Sequence, residues 1–470
     1  MALPNPVKIP TFVQILRWFV SPLSLLEECT KNYGDIFTLS VSPQLTPVVI
    51  VSNPVALQQI LTGDSSGNFS APGYKNSTFG SIFGPSSLIS ISSTEHQRQR
   101  QLLTPAFHGD RMRSYAGTIR DITEGVMGTL ETDKSFSTRD ITQAISLRTI
   151  VKLVFGFYEG ESAKQMENLL NEMLNNISSP GGAAMLYLRF LQRDWGSWSP
   201  WNKHIKLQQE IDNLLYSEIK QRRKQADTSK SDILSLMMSA RDEAGESMSD
   251  QELRDELLTL LIAGQETTAT ALAWALYWIH KLPAVREKLL AEIDSLYENS
   301  SDNSDINAIN KLPYLNAVCC ETLRIYPVAM QTFIRRVEKP LQISGYDLQP
   351  GTLLYGSVYL THQRQDLYPE PKQFRPERFL EKQFSPYEFL PFGGGVRRCI
   401  GAAFALFEMK VVLVKILSTY SLNLVDNIEV QPKRRGLVTA PASPINMVIT
   451  GRRNSSNINS LSQDSLSARS

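Results

Sequence analysis

The chain has 470 residues, 42% of them hydrophobic and 20% charged, a composition that belongs to a globular protein with a sizeable core and excludes disorder over most of the length. That length fits two domains or one large fold around a single cofactor. A formal net charge of +1 excludes an overall field for nucleic acid, and the four scattered cysteines (Cys29, Cys319, Cys320, Cys399), without a CxxC pair, predict no disulfides and a reducing, cytoplasmic setting.

In chain order, residues 1–42 form an N-terminal segment interrupted by Pro4, Pro6, Pro10 and Pro22, with no run near the roughly 20 apolar residues of a membrane span. Its apolar stretch Phe12 to Val20 is expected to pack on the protein's own core. Short strand signals follow at 36–41 and 48–52, then a helix at 55–61. The Gly-, Ser- and Pro-rich stretch 63–93 carries Phe69, Tyr74, Phe79, Phe83, Leu88 and Ile89, and so apolar a loop is expected to cover a site. Helical periodicity runs through 95–103, 115–130, 138–155, 163–177 and 205–224. In the first of these, His96 and Arg100 lie one turn apart and can face one anion, solvated charges being the plain alternative.

Ser249-Asp250-Gln251-Glu252 is a capping box that opens a helix running to Leu282, where Pro283 stops it, a length of about 50 Å. Its middle, Ala263-Gly264-Gln265-Glu266-Thr267-Thr268, breaks local rules, because Gly costs about 1 kcal/mol relative to Ala and threonine hydroxyls compete with the helix ladder. Either a helix packed on the glycine or a ligand beside it must compensate. Pro313 opens another helix, with Glu321 and Arg324 three apart on one face, and Pro376-Glu377-Arg378-Phe379 lies downstream. Further strand signals fall at 341–354 and 445–450, and 452–470 reads as a disordered Ser- and Asn-rich tail. His108, His204, His280 and His362 show no ligand spacing and read as surface or core residues. Without repeats, a phosphate loop or GxGxxG, the chain reads as mainly α with a minor β region and no fused nucleotide-binding reductase.

The densest signal is Phe392-Gly393-Gly394-Gly395-Val396-Arg397-Arg398-Cys399-Ile400-Gly401, which runs from Pro391 into the apolar helix 402–419. Its glycines permit tight turns and close approach to a flat cofactor. Cys399 stands at a helix entrance, where free N–H groups and the positive dipole end favour a thiolate.

The spacing of Phe392, Gly395, Arg397, Cys399 and Gly401 resembles the haem-ligand loop of the cytochrome P450 family of haem-thiolate monooxygenases, and the resemblance runs from about Pro43 to Ile449. It implies the cytochrome P450 fold over 43–451, a large helical domain with a small β-rich region, and haem b held through Cys399. By the same resemblance, His96, which stands where the family usually has Trp, joins Arg100, Arg335 and Arg397 in binding the haem. Ala263 and Gly264 of the long helix and Phe392, Gly393, Ile400 and Gly401 of the cysteine loop would complete the cofactor site. Glu266 and Thr267 would serve oxygen chemistry and proton delivery, while Glu321, Arg324 and Arg378 would lock the core behind the cysteine loop.

Substrate walls are implied at Leu88 and Ile89, at Leu260 and Ala263, at Ala329 and Met330, and at Leu437 and Val438. The wording of the motifs is most similar to soluble bacterial members, including a cyanobacterial branch acting on terpenes, fatty acids and alkanes. The implied reaction is hydroxylation or epoxidation of a lipophilic substrate by O2 in a monomer, with electrons from a ferredoxin or flavodoxin and its NAD(P)H reductase. Arg98, Arg397 and Arg398 are expected to offer that acidic donor a basic patch. A peroxide-driven or isomerising member of the same fold, a non-catalytic haem carrier and a haem-free helical binding module stand beside this reading.

Overall fold

Apolar stripes at helical spacing and short alternating runs sort into a large helical part and a smaller sheet-rich part, seen in a computed structural model that describes residues 3–41, 46–73, 78–107, 110–156, 160–179, 182, 192–193, 196, 199–225, 232–299 and 306–453. Tyr74, the side chain of Phe79, His108, the boundary at 42/43 and the stretch 454–470 lie outside the described residues.

Helices α1 (Thr11–Val20) and α2 (Pro22–Tyr33) lead into β1 (Ile36–Leu39) and β2 (Val48–Val51), followed by α3 (Pro54–Thr62), β3 (Phe69–Ser70), α4 (Thr78–Phe83) and α5 (Ser93–Leu103). Then come α6 (Asp110–Met127), β4 (Ser135–Ser137), α7 (Thr138–Phe155), α8 (Glu161–Ser178), α9 (Pro200–Gln225), α10 (Ile233–Ser239) and the long α11 (Asp250–Lys281). The next stretch holds α12 (Pro283–Asn299), α13 (Ile306–Asn310), α14 (Pro313–Ile325), β5 (Arg335–Val337), β6 (Leu341–Ile343), β7 (Tyr346–Leu348), β8 (Leu353–Gly356) and α15 (Val358–His362). The chain finishes with α16 (Arg378–Glu381), α17 (Ala402–Thr419), β9 (Tyr420–Leu424), β10 (Pro432–Arg435), β11 (Val438–Pro441) and β12 (Asn446–Arg452).

One sheet has the order β1-β2-β8-β5-β3, another β4-β12-β9, and β6-β7 and β10-β11 are hairpins. Strand β2 is buried at all four positions and runs parallel to β8, as expected of an inner strand covered on both faces. Helix α2 buries Leu25, Leu26 and Cys29 in one cluster with Phe37, Leu39, Val48 and Ile50, so residues before 43 are packed into the same body. In α1 the expectation of core packing fails on one face. Gln14 and Trp18 are buried, but Phe12, Leu16 and Val20, one turn apart, stay exposed. Among the described residues, no helix is long and apolar enough to cross a membrane.

The capping box is formed: Ser249 Oγ accepts from the Glu252 N–H, and the Glu252 carboxylate accepts from the Ser249 N–H at 2.7 Å. Between Leu253 and Tyr277 every residue of α11 is buried except Ala263, Gly264 and Thr267. Helices α7 and α17 pack against α11. A Cβ at Gly264 would sit 3.3 Å from the Ile150 side chain of α7, a tight contact, so the glycine lies where the two helices pack. Ser146 Oγ donates to the Gly264 carbonyl at 3.4 Å and also meets the buried Glu408 of α17, whose pKa burial pushes up to about 8 against the pull of that Ser146 bond.

Behind α17, Glu321 and Arg324 of α14 are both fully buried and doubly bonded at 2.6 and 2.7 Å. Glu321 also accepts from the Arg375 N–H (2.8 Å) and faces Arg378 at 3.4 Å. Arg324 donates to the carbonyls of His362, Pro371 and Gln373. Glu321→Gln, which leaves Arg324 buried without its counter-charge, is expected to cost roughly 3–5 kcal/mol, read from denaturant unfolding; a loss below about 1 kcal/mol would deny the pair its structural role. Glu408 gives a pH signature. Its carboxyl holds a proton to about pH 8 in the fold but only to 4.5 when unfolded, so the stability it contributes is complete below the lower value and falls as pH rises through the higher one. Glu408→Gln is therefore expected to melt close to the parent near about pH 5 and above it near about pH 8.5, and a gap independent of pH would remove this account.

Candidate functional site

Local backbone demands shape the cysteine loop first. Gly393 and Gly395 have φ of +66° and +64°, and a Cβ at Gly395 would lie 2.6 Å from the Leu61 carbonyl. The turn is closed by the Gly393 N–H on Leu390 O (2.9 Å), the Arg398 N–H on Gly395 O (3.1 Å) and the Cys399 N–H on Phe392 O (2.9 Å). Its base is tied to the buried ion pair. Arg324 donates to His362 O, and His362 Nε2 accepts from the Leu390 N–H at 3.0 Å. Burial, then Arg324, lowers the His362 pKa to about 3, which keeps the ring neutral and able to accept. Of the surface and core readings left open by its spacing, the histidine takes the core one, and it also positions the loop.

Arg335 departs from expectation. Its Nε and Nη2 hold Asp64 at 2.7 and 2.9 Å, Nη2 also reaches Gly394 O, and Nη1 reaches Phe333 O. These bonds, with a longer one to Ile334 O, engage all five guanidinium donors, so in this arrangement Arg335 braces the loop and has none left for a cofactor carboxylate. Asp64 completes the brace by accepting from the Val396 N–H. Arg397 turns inward over the Phe333 ring and donates to the carbonyls of Ala71, Leu88 and Ile91, pinning the 63–93 stretch to the cysteine loop.

The Cys399 side chain has free surface, yet burial is the leading influence on it and raises its pKa; the Gly401 N–H, Arg100 and Arg398 act the other way. The sulfur therefore lies in a recess, where the helix entrance acts through the Gly401 N–H to favour the thiolate while burial opposes it. Arg100 is half-buried beside it, and among the described residues no hydrogen bond or ion pair engages that guanidinium. His96 is buried close by, its pKa lowered to about 3 by burial and by Arg397, Arg100 and Arg335. Three arginines around one neutral imidazole, one of them unengaged and next to a thiol, suit a flat cofactor that carries carboxylates and a thiol-seeking metal.

On α11 the open residues Ala263, Gly264 and Thr267 share one face. Thr267 Oγ1 donates to Ala263 O at 2.7 Å, which leaves its lone pairs toward that face. Glu266 is turned into protein, with Oε1 on Arg139 (2.7 Å) and Oε2 on Gln143 (2.9 Å).

A family model described as Cytochrome P450 matches residues 4–448. The putative cytochrome P450 135B1 of Mycobacterium tuberculosis (strain ATCC 25618 / H37Rv) is 33% identical over 442 residues, 94% of this chain and 90% of its own length. Putative cytochrome P450 135A1 of the same organism is 31% identical, covering 92% of this chain and 93% of its own. The chain belongs to the cytochrome P450 family. It is a P450 monooxygenase, its cofactor is haem b, and the match begins well before position 43. The solved structure of retinoic acid bound cyanobacterial CYP120A1 shares the fold with a TM-score of 0.82 at 22% identity, covering 96% of this chain and 100% of that chain.

Of the P450 pocket walls expected from sequence, Leu88, Ile89, Leu260 and Val438 join the main apolar cluster. Met330 instead packs against the cluster built around α2 and the first strands, and Ala329 and Leu437 are exposed. Val328, unforeseen, joins the main cluster, and its carbonyl takes the Thr439 N–H of β11. The donor patch is smaller than expected. Arg98 is held by Asp242 (2.5 Å) and Glu252 (2.6 Å), and Arg397 faces inward, so of the three Arg398 remains exposed. Asp64, Arg139 and Gln143 were also missed, since each acts through a partner more than 120 residues away. Cys399→Ser is expected to abolish the red-shifted Soret band of the reduced, carbon-monoxide-treated haem protein; an unchanged band would exclude Cys399 as the ligand.

Proposed function

We propose that this P450 hydroxylates or epoxidises a lipophilic substrate of terpene, fatty-acid or alkane type, with Cys399 as the haem iron ligand. The observation that carries this reading is the open face of α11, where Ala263, Gly264 and Thr267 break an otherwise buried helix. Haem b, when bound through a thiolate, supplies reductive activation of O2 and transfer of one oxygen atom to the substrate. Arg100 and the neutral His96 would hold its carboxylates, with Arg397 reaching them by giving up loop carbonyls. Ile400 and Gly401 continue the recess on the sulfur side, and Phe392 and Gly393 shape it.

The chain's own residues do the rest. Leu88, Ile89, Leu260, Val328 and Val438 exclude water and favour an apolar substrate by area, roughly 25 cal/mol per Å2. A lipophilic ligand also fits the fold neighbour named with retinoic acid bound. Thr267 offers an accepting oxygen at the open face, and Glu266 passes protons to that side after releasing one of its two donors. Electrons come from a separate ferredoxin or flavodoxin with its NAD(P)H reductase, docking near the exposed Arg398, in the cytoplasm, where the free cysteines stay reduced.

Titrating the ferric holoenzyme with a sesquiterpene, a long-chain fatty acid and an alkane is expected to give a Soret shift with at least one. With that ligand, Thr267→Ala should raise the peroxide formed per electron pair by about tenfold or more. Silence from all three ligands, or unchanged coupling, would count against the reading.

A further inference from the structure

Arg139 and Gln143, the two partners of Glu266, line a cleft of about 500 Å3 beside α11. It is walled by Arg139, Asp140 and Gln143 of α7, Asn175 of α8, Arg435 at the end of β10 and the segment 441–446. Ala273 also lines it, two turns after Glu266 and hence on the same helical face. We propose that this cleft binds an aliphatic carboxylate, and that the bound carboxylate draws Arg139 away from Glu266. The coupling rests on Glu266 being the proton-delivering group.

The cations are incompletely matched. Arg139 gives Nη2 to Glu266 at 2.7 Å, but its Nη1 is buried and has no partner among the described residues. A buried donor left unmade costs free energy until an acceptor arrives. Arg435 is half-buried near Arg139, and no hydrogen bond or ion pair engages its guanidinium among the described residues. Burial, then Arg139, lowers its pKa, with Glu266 and Asp140 opposing. Asp140 lines the same cleft and tempers its field, and both Glu266 oxygens are already taken by Arg139 and Gln143. An incoming carboxylate therefore meets the Arg435 guanidinium with donors to spare, and gains the buried Arg139 Nη1 once that side chain swings away from Glu266.

The apolar part of the lining supplies the rest of the specificity. Pro441, Ala442, Pro444, Ile445 and Ala273 are apolar, so an alkyl tail can lie there while the head group faces the arginines. Inorganic anions would use only half of the cleft. Because Arg139 bridges the cleft and Glu266, a carboxylate bound to it competes for the same guanidinium. Glu266 then keeps Gln143 alone and is freer to turn toward Thr267.

The test uses the haem-loaded full chain at constant ionic strength, with calorimetry for binding and the Soret band followed in parallel to register entry on the haem side. Hexanoate is expected to bind about tenfold or more tightly than 1-hexanol, and Arg435→Gln should remove about that advantage while Arg435→Lys restores part of it. The Soret response and the turnover without hexanoate should match the parent in both variants. Equal binding of hexanoate and hexanol, or full hexanoate binding by Arg435→Gln, would overturn the site. Saturating hexanoate is also expected to lower the peroxide formed per electron pair in the parent and not in Arg435→Gln. Binding that depends on Arg435 without any change in peroxide would overturn the link to Glu266. Thr267→Ala judges the oxygen-side reading independently of both results.

Discussion

The ion pair between Glu321 and Arg324 is the constraint from which the site follows. Two fully buried charges gain little net stability over apolar residues of similar size. What they provide is direction. The chain between α15 and α17 has little regular structure, so its buried carbonyls and N–H groups need partners from elsewhere. Arg324 supplies donors for His362, Pro371 and Gln373, and Glu321 takes the Arg375 N–H. His362 passes that order on through Leu390, the residue two before Phe392, whose carbonyl fixes the Cys399 N–H. A cysteine on a loop thus inherits the rigidity of a helix pair.

The same loop shows a balance between placing a sulfur and charging it. A recess that keeps water from the reaction also penalises an anion, and at Cys399 this outweighs the Gly401 N–H and the two nearby arginines. The protein thus positions the sulfur, and haem iron bound there would supply further stabilisation of the thiolate. Opposite-sign logic governs the cations. Arg335 is neutralised by Asp64 and braces the loop, whereas Arg100 has no counter-charge among the described residues and is suited to a ligand carboxylate. Residues of one type at one site are separated by their partners, not by their own chemistry.

This explains what the sequence made legible. Helix α7 begins at Thr138 and ends at Phe155 as the periodicity predicts, and the capping box at Ser249 is formed, because both depend on residues a few positions apart. The cysteine loop was recognisable for the same reason. Partners distant in sequence were not: Asp64 meets Arg335 across 271 positions, and Glu266 meets Arg139 across 127. Gly264 is an anomaly in its own sequence, but that it faces Ile150 on a neighbouring helix is visible only in the fold. The apolar face of α1 misled because periodicity shows that a helix has such a face and not what covers it.

Helix α11 joins two environments through consecutive residues. About 100° separates neighbours on a helix, so Thr267 can look onto the open face while Glu266 looks into α7, onto Arg139 and Gln143. A rigid helix buried over most of its length keeps that division fixed at the backbone, which cannot rotate without unpacking its neighbours. Any exchange between the two sides must therefore run through side-chain rotation of Glu266. That rotation is governed by Arg139 and Gln143, both on α7. Gly264 faces Ile150 on that same helix, so the glycine lies in the seam that also carries the residues controlling the carboxylate.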